Sequence, residues 1–528
     1  MKIERILIED QMAPIGLDEK KPAFSWLLTA EEGEQNLMQS ACRIVVRTGE
    51  DTVWDSGKME TGVSTGIGYE GEALQPCTKY EVKAEVWDNH GGKAEAESSF
   101  ETGLMDSLYA AWEGAEWIGA PHATVCAENR GVFTIESEFR MEGGKGEAGI
   151  VFGANDFRLN DHTKNELGME GENYIRYAVC LEDGDARLEI YRVGYAPEDT
   201  VEKPFAVTKL VNWKEKTQEI LTPENADAFH KLTVEVDGNV AYAYVDGILV
   251  DAIEEHGFFG TKVSGRQLNP RGNNNVLPYP RLNEIGFYAG KGTTGYFKNL
   301  TVRNVRKPSA EIVRETPEGR LDGGKSIFAD QIPVENGYFK VEDSQITADP
   351  SHHSIPMLRS CISCQKEKKL ASARLYITAR GIYDCRINGQ EITEDLLRPG
   401  LTQYDHRMNY QTYDITGLMK PGRNGIGVTL ASGWWSEAQT FVVKNFNYFG
   451  DKESLLAKVV MKYEDGSREV FGTNTEDWKY FGEGPYLFSS YFAGEQYDAR
   501  RAEVYETYSL PEFDDSTWEK PVVVDTVM

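Results

Sequence analysis

Short runs in which apolar and polar residues alternate, bounded by Gly, Asn and Asp, make up most of this 528-residue chain. In "TKYEVKAEVWDNHGG" the apolar residues Tyr80, Val82, Ala84 and Val86 alternate with charged ones, so they share one face of a strand. Long stretches with apolar residues at helical spacing are scarce. The pattern predicts an all-β chain, and an α+β chain with a few short helices is the second choice.

The same pattern continues through the middle of the chain, between about residues 129 and 306. Its clearest element is a hairpin in "HKLTVEVDGNVAYAYVDG", in which "DGN" forms the turn. The alternation places Leu232, Val234 and Val236 on the inward face. It predicts that the matching face of the returning strand carries Val240, Tyr242 and Tyr244.

The last part of the chain, from about residue 320 onward, contains a third set of strands. In "ARLYITARGIYDCRINGQEI" the residues Leu375, Ile377 and Ala379 alternate along a strand. Gly381 is the expected bend, and "NGQ" is the expected turn of a second strand. At roughly 150 residues per domain, a chain of this length is expected to form three or four domains.

Charge and cysteine content narrow the range of partners and cellular compartments that the protein can have. The 85 acidic against 56 basic side chains give a net charge of −29, which disfavours nucleic acid and anionic membrane partners. The first residues, "MKIERILIEDQ", lack an apolar signal core, and no run reaches the roughly 18 apolar residues of a membrane span. Seven scattered cysteines fit a reducing compartment, so we expect a cytoplasmic protein. Cys361 and Cys364 form a C-x-x-C, but without a second pair they are expected to be incidental thiols.

Two stretches resemble known β-modules. Residues 1–106 resemble a fibronectin type III module, including an aromatic strand that ends in "VWD" before a turn. Residues 129–306 resemble a concanavalin-like or laminin-G-like sandwich with a jelly-roll fold, since "GYFKNLTV" is similar to the last strand of such modules. We expect this second module to be an insertion, because sandwich termini often lie close together at a surface.

The last region carries the most specific resemblance. The phrases "LYITARGIYDCRINGQEI", "LRPGLTQYDHRMNYQTYDITGLMKPGRNGIGV", "GWW" and "GEQYDAR…FDDSTW" occur in this order. They closely resemble the β-sandwich near the N-terminus of bacterial α-L-rhamnosidases, and "MAPIGLDEKKPAFSWLL" resembles the opening of the same enzymes. We expect this sandwich to comprise residues 107–128 plus 307–528.

The resemblance implies inverting hydrolysis of terminal α-L-rhamnose by carboxylates on an (α/α)6 barrel that follows these modules. No set of amphipathic helices follows Trp518, so we expect the catalytic barrel to be absent from this chain and transfer no catalytic residue. The expected function is that of the N-terminal part of an α-L-rhamnosidase, whose partners are rhamnose-containing glycosides or polysaccharides and the catalytic domain of the same polypeptide. The alternative is a stand-alone carbohydrate-binding or adhesion protein without catalytic activity.

A cluster of charged and aromatic residues stands out in "YFAGEQYDARRAEVYE". Glu495, Tyr497, Asp498 and Arg500 are expected to form a charged, hydrogen-bonded corner that fixes a loop or contacts the catalytic domain. The alternative is that they rim a sugar-binding pocket, since carboxylates and arginine bind sugar hydroxyls.

Adjacent tryptophans form a second candidate. If Trp434 and Trp435 lie on a strand, they point to opposite faces, one into the core and one outward. Packing in the core or at a domain interface is favoured over a sugar platform, because tryptophan buries a large area. The chain's ten Trp and 26 Tyr are nevertheless suited to sugar binding.

The middle region offers loop residues and a pair of glutamates. Asn155, Asp156, Asn160 and Asp161 in "FGANDFRLNDH" are candidates for sugar binding. The same oxygens could hold Ca²⁺, but their spacing matches no EF-hand-like loop, so the metal is left unassigned. No phosphate loop or G-x-G-x-x-G follows a strand, so no cofactor is expected.

Glu136 and Glu138 share a strand face, as paired catalytic carboxylates of a complete glycosidase would. The alternation of Phe133, Ile135 and Phe139 argues against this third hypothesis, because it puts both glutamates on the solvated face.

Overall fold

The computed structural model describes residues 1–528 apart from 31, 122–131, 156–171, 183–184, 196–197, 207–219, 223, 238–239, 251–262, 265–281, 306, 322–323, 351–353, 437–448, 451, 492–493 and 525–528. Nearly all its regular elements are strands, which confirms the all-β prediction. The helices among the described residues are short: 3-10 turns at Tyr109–Trp112, Glu142–Gly144, Thr416–Leu418 and Ala499–Arg501, and α-helices at Gly433–Ser436 and Ala502–Thr507.

The first region is a small sandwich of two antiparallel sheets. Its strands are β1 (Lys2–Ile8), β2 (Ala23–Thr29), β3 (Gln39–Thr48), β4 (Asp51–Asp55), β5 (Ile67–Gly68), β6 (Lys79–Asp88) and β7 (Lys93–Glu101). One sheet has the order β1-β2-β5 and the other β4-β3-β6-β7. As the alternation predicts, Tyr80, Val82, Ala84 and Val86 are all buried in the core between them.

The middle region is a larger sandwich. Its strands are β9 (Val132–Met141), β10 (Gly146–Ala154), β11 (Tyr174–Glu182), β12 (Asp185–Val193), β13 (Phe205–Ala206), β14 (His230–Asp237), β15 (Val240–Val245), β16 (Ile248–Leu249), β17 (Val263–Ser264), β18 (Glu284–Ala289), β19 (Thr294–Phe297), β20 (Leu300–Asn304), β21 (Lys307–Thr316), β22 (Gly319–Arg320), β23 (Val334–Glu335), β24 (Tyr338–Glu342) and β25 (Gln345–Ala348). One sheet runs β13-β12-β11-β10-β18-β25, and the other has β16-β15-β14-β9-β19-β24-β23 as its main path. One continuous apolar core joins the two sheets.

The hairpin of β14 and β15 has the predicted position but presents a different face on its second strand. Val234 pairs with Ala243, and these two residues share the core face. Tyr242 and Tyr244 are therefore half-buried on the opposite face, and the predicted inward placement of these tyrosines is wrong. The reason is the register, because directly paired residues of antiparallel strands lie on the same side of the sheet.

The last region is a third sandwich. Its strands are β26 (Met357–Cys364), β27 (Leu370–Arg380), β28 (Ile382–Ile387), β29 (Gln390–Glu391), β30 (Gln411–Asp414), β31 (Gly422–Ala431), β32 (Ser454–Tyr463), β33 (Arg468–Gly472), β34 (Lys479–Phe481), β35 (Tyr486–Ser490), β36 (Gly494–Tyr497) and β37 (Val522–Val523). One sheet has the order β29-β28-β31-β26-β34. The facing sheet contains β30, β27 and β32, and β8 (Ile118–Gly119) joins its edge with β37.

Local details of this sandwich agree with the sequence. Leu375, Ile377 and Ala379 are fully buried on β27. Gly381 separates β27 from β28 at a φ of 115°, a conformation that glycine adopts without strain. The turn after β28 has a positive φ at Asn388, as tight hairpins with Asn-Gly require.

The expected boundary at residue 306 does not follow the sheets. Strands β21 to β25, at residues 307–348, pair with strands of the middle region, and Phe328 and Phe339 lie in its core. We expected this segment to belong with the last sandwich. Instead, the rings of Phe328 and Phe339 pack on Phe287 of β18, with centroid distances of 5.0 and 5.5 Å.

The first and last regions are joined by an ion pair and by the hydrogen bonds of a tyrosine hydroxyl. Glu101 at the end of β7 accepts hydrogen bonds from Nε and Nη2 of Arg374 on β27, at 2.7 and 2.5 Å. The Tyr410 hydroxyl donates to Asp18 at 2.6 Å and accepts from the backbone N–H of Leu104 at 2.7 Å. These contacts fix the two sandwiches against each other along one side.

Candidate carbohydrate-binding site

The adjacent tryptophans Trp434 and Trp435 lie in a helical turn rather than on a strand. Strand β31 ends at Ala431, and the turn begins at Gly433, where φ is 51°. Gly433 also sits so close to Ile382 that a Cβ atom would lie 2.6 Å from its Cγ1. The expectation of opposite strand faces is therefore wrong, because successive residues of a helix diverge by only about 100°.

The two tryptophans contact different surroundings, and both are half-buried. The ring of Trp434 packs on Tyr491, with 4.4 Å between centroids. The ring of Trp435 packs on Tyr404 and Phe449 at 5.9 and 6.3 Å, and its Nε1 donates to the Lys452 carbonyl at 3.1 Å. The helical turn thus separates two recesses.

The first recess, which we call the tyrosine pocket, has a volume of about 320 Å³. Tyr486, Tyr491 and Tyr505 line it, together with the carboxylates of Asp384 and Glu495. Leu396 and Leu397 are among its apolar lining residues and are 82% and 49% exposed. Tyrosine rings beside carboxylates are a combination that suits the faces and hydroxyls of a neutral sugar.

The tyrosines of the pocket are held by one another and by a cation. Tyr486 packs edge to face on both Tyr497 and Tyr505, at centroid distances of 4.9 and 5.2 Å. The guanidinium of Arg386 lies 4.6 Å from the Tyr505 ring centroid. Burial raises the pKa of Tyr505 to about 12 and also raises that of Tyr486, so both phenols stay protonated at neutral pH. They can therefore both donate and accept hydrogen bonds.

The carboxylates of the pocket differ in how firmly they are held. Asp384 forms an ion pair with Arg398, which is only 7% exposed. Glu495 is exposed and accepts a 3.3 Å hydrogen bond from the Ser489 hydroxyl. Glu495 therefore keeps most of its acceptor capacity toward the outside.

Asp498 and Arg500 form a charged corner beside the tyrosine pocket but do not line it. Asp498 accepts hydrogen bonds from Nε and Nη2 of Arg500, both at 2.8 Å, and from its backbone N–H at 3.1 Å. The hydrogen bond from the Arg500 side chain lowers the pKa of Asp498 to about 2. Arg501 extends the corner through a 2.9 Å ion pair with Glu483.

The second recess, which we call the inter-module cleft, lies between the first and last regions. Its volume is about 1040 Å³, and its lining includes Asp18, Tyr109, Trp117, Tyr404 and Trp435. The structure thus assigns the predicted candidates to two places: Glu495 lines the tyrosine pocket and Trp434 and Tyr497 pack on its walls, whereas Trp435 lines the cleft.

The loop candidates of the middle region are only partly described. Asn155 follows β10, and its side-chain amide donates to Glu284 at 2.8 Å. Asp156, Asn160 and Asp161 lie outside the described residues. Within the residues that are described, no group of three or more His, Cys, Asp or Glu side chains is arranged to hold a metal ion.

Glu136 and Glu138 are both engaged in ion pairs. Glu138 pairs with Lys298 at 2.6 Å, and Glu136 pairs with Lys231 at 2.6 Å and with Arg303. Burial acts to raise the pKa of Glu136, but its two cationic partners outweigh that effect and the pKa is lowered. A carboxyl group held ionised in this way is a poor proton donor for glycoside cleavage.

The two cysteines of the C-x-x-C, Cys361 and Cys364, lie in different environments. Cys364 is buried, whereas Cys361 is half-buried and its Sγ accepts a hydrogen bond from Nε of Arg423 at 3.0 Å. All six cysteines in the described part of the chain are free thiols. No helix in that part is long and apolar enough to cross a membrane.

Sequence reasoning missed the residues that shape the two recesses. Tyr491 and Tyr505 lie within the quoted charged stretch and Tyr486 lies just before it, so the density of tyrosines there was a signal that could have been used. Asp384 and Tyr404 come from other segments of the last region, and Asp18 comes from the first. Only the tertiary fold brings these residues together.

Comparisons with known proteins agree with the architecture at both ends of the chain. A family model described as the alpha-L-rhamnosidase N-terminal domain matches residues 368–527, and one described as a Rha78A-like N-terminal immunoglobulin domain matches residues 3–106. An alpha-L-rhamnosidase of Streptomyces avermitilis is 27% identical over 523 residues, which cover 97% of this chain and 44% of that protein. An alpha-L-rhamnosidase of Formosa agariphila is 37% identical over 151 residues, which cover 28% of this chain and 16% of that protein.

Solved structures show a similar fold. The Streptomyces avermitilis alpha-L-rhamnosidase complexed with L-rhamnose has a TM-score of 0.55 at 20% identity and covers 99% of this chain and 45% of that one. The native enzyme from Aspergillus terreus has a TM-score of 0.51 at 16% identity and covers 99% of this chain and 34% of that one.

Both end regions are therefore similar to modules of α-L-rhamnosidases. Residues 3–106 and 368–527 match models of N-terminal domains of these enzymes. The match covers almost all of this chain but only 44% of the Streptomyces avermitilis relative, so the chain spans less than half the length of that protein.

Proposed function

We propose that this chain is the N-terminal part of an α-L-rhamnosidase that removes terminal α-L-rhamnose from glycosides or polysaccharides. The observation that carries the proposal is the match to α-L-rhamnosidases along nearly the whole chain, combined with family models at both of its ends. Hydrolysis itself is proposed to depend on a catalytic domain outside these 528 residues. This part supports that domain and binds carbohydrate.

The proposed organisation has three modules. The first is residues 1–106, and the second is an inserted lectin-like module, for which the sheet pairing of β21 to β25 supports an end near residue 348 rather than 306. The third combines residues 107–128 with the chain from about 349 onward. The pairing of β8 with β32 and β37 supports this combination.

We propose that a neutral sugar and the catalytic domain both contact this chain at the tyrosine pocket. Its carboxylates can accept hydrogen bonds from sugar hydroxyls, and its tyrosines offer ring faces. Leu396 and Leu397, which both line the pocket, are 82% and 49% exposed. Apolar side chains exposed side by side in this way mark surfaces that another domain covers.

Hydrolysis of a chromogenic substrate tests the proposal. The assay uses 4-nitrophenyl α-L-rhamnopyranoside with the 528-residue chain and with the same chain followed by whatever its reading frame encodes after Met528. We expect the long protein to release nitrophenol and the short chain to release none, because the acid and base of an inverting hydrolysis lie in the catalytic domain. Activity in the short chain, or none in the long protein, would overturn the proposal. A glycan-binding protein that ends at Met528 would favour the alternative of a stand-alone adhesion protein.

A further inference from the structure

The inter-module cleft differs in charge from the chain that contains it. Four basic side chains line the cleft, Lys20, Arg380, Arg407 and Lys452, against two acidic ones. The whole chain carries a net charge of −29. The acidic surface of the protein repels anions, whereas a recess lined mainly by basic side chains attracts them. An anionic ligand is therefore expected in this recess.

The two acidic residues of the lining are already engaged with the protein. Asp18 accepts hydrogen bonds from the Tyr410 hydroxyl at 2.6 Å and from the backbone N–H of Met105 at 2.7 Å. Asp106 accepts a 2.8 Å hydrogen bond from the backbone N–H of Leu108. Both carboxylates hold the walls of the cleft through these hydrogen bonds, and the four basic side chains outnumber them.

The basic side chains of the lining are held in two different ways. Lys20 and Arg407 are exposed, and within the described residues neither forms an ion pair. Arg380 is only 6% exposed, and its guanidinium lies between the rings of Trp117 and Trp435, 4.5 and 5.2 Å from their centroids. Such stacking holds the guanidinium, and with it a positive charge, rigidly at the wall of the cleft.

Aromatic rings provide the apolar part of the lining. Trp435 is held by the hydrogen bond from its Nε1 to the Lys452 carbonyl, at 3.1 Å. Tyr109, which is 51% exposed, is held by a 2.6 Å hydrogen bond from its hydroxyl to the Ala115 carbonyl. Rigid rings beside fixed donors are the usual features of a site for a sugar.

We infer that the inter-module cleft binds an acidic saccharide, one whose sugar units carry carboxylate or sulfate groups. The exposed ring of Tyr109 contacts a sugar face, and the exposed side chains of Lys20 and Arg407 pair with the acidic groups. At about 1040 Å³ the cleft is large enough for an oligosaccharide. The site is distinct from the tyrosine pocket and goes beyond the proposed hydrolysis, because it requires neither the catalytic domain nor rhamnose.

Titration calorimetry with the 528-residue chain tests this inference. The probes are trigalacturonate, its fully methyl-esterified form and maltotriose sulfate. We expect trigalacturonate or maltotriose sulfate to bind at least tenfold more tightly than the neutral ester, with an affinity that falls as salt is added. Binding of trigalacturonate would identify carboxylates as the recognised groups, and binding of maltotriose sulfate would identify sulfates.

Charge-removing variants locate the site. Arg407→Gln and Lys20→Gln, both at exposed positions that leave the core intact, should each weaken binding at least fivefold. Arg500→Gln removes the same charge beside the tyrosine pocket and should leave the affinity unchanged. The inference is overturned if neither anion binds at millimolar concentration, if the ester binds as well as the acid, or if Arg500→Gln weakens binding as much as Arg407→Gln. None of these outcomes depends on whether the long protein hydrolyses rhamnosides.

Discussion

The tyrosine pocket and the inter-module cleft lie on either side of one helical turn, Gly433–Ser436, yet they differ in construction. The pocket is built within the last region, and among the described residues the charged groups that line it are Asp384 and Glu495. The cleft spans two regions, and basic side chains predominate in its lining. Because the linings differ in charge, we propose different ligands for them: a neutral sugar for the pocket and an acidic sugar for the cleft.

The two recesses also depend on different anchors. The segment that carries Tyr505 is held by Arg359, which is fully buried and forms an ion pair with Asp515. Arg359 also donates to the carbonyls of Tyr508 and Leu510, at 2.7 and 3.1 Å. The cleft depends instead on the contact between Glu101 and Arg374.

The largest expected effect comes from removal of the buried anchor. Arg359→Ala should lower the free energy of unfolding of the last region by about 3 to 5 kcal/mol, because it leaves Asp515 and two carbonyls without their buried partner. Urea unfolding followed by tryptophan fluorescence measures the change. Arg423→Ala, which removes a more exposed arginine on β31, is the control and should cost less than about 1 kcal/mol. If Arg359→Ala does not fold, the milder Arg359→Lys should still unfold at lower urea than the control. Equal midpoints for Arg359→Lys and the control would contradict the assigned role.

A smaller effect is expected at the contact between regions. Glu101→Gln should lower the free energy of unfolding by about 1 to 3 kcal/mol, because it replaces two charge-assisted hydrogen bonds to Arg374. Arg374 keeps its 2.6 Å ion pair with Asp414, which limits the loss. Glu97→Gln, on an exposed position of the same strand, should leave stability within about 0.5 kcal/mol of the original chain. Equal losses for both variants would show that the contact contributes nothing specific.

The smallest effect concerns the charged corner beside the tyrosine pocket. The pKa of Asp498 is lowered to about 2 by its hydrogen bonds with Arg500, whereas an unfolded aspartate titrates near pH 3.9. The corner is therefore stabilised above about pH 4, and that stabilisation is lost as the pH falls toward 2. The Arg500 amide resonance, followed by NMR, should shift with a midpoint near pH 2, and Asp498→Asn should abolish the shift. A midpoint near pH 4 would mean that the pairing is absent in solution.

Features of the fold that depend on local sequence could be predicted, whereas features that depend on contacts between distant residues could not. Alternation placed the strands that carry Val82, Phe133 and Ile377 and assigned their buried faces correctly, because a period of two is a local property. Several linked phrases in the last region were enough to indicate the family. These features require no knowledge of distant contacts.

Other features could not be derived from local patterns. The helical turn that carries Trp434 and Trp435 depends on the positive φ of Gly433 and its close approach to Ile382. The assignment of β21 to β25 to the middle sandwich depends on pairing across long stretches of chain. The inter-module cleft combines residues as far apart as Asp18 and Trp435, and only the packing of two regions brings them together.

The central claim is that the two recesses are separately anchored and can therefore hold different ligands. Hydrogen–deuterium exchange of the chain carrying Glu101→Gln, compared with the unaltered chain, tests it most directly. We predict faster exchange in the segments that form the cleft, around Leu104 and Tyr410, with unchanged exchange in the segments that carry Tyr486 and Tyr505. Faster exchange around both recesses would contradict the claim, because it would show that they open as one unit.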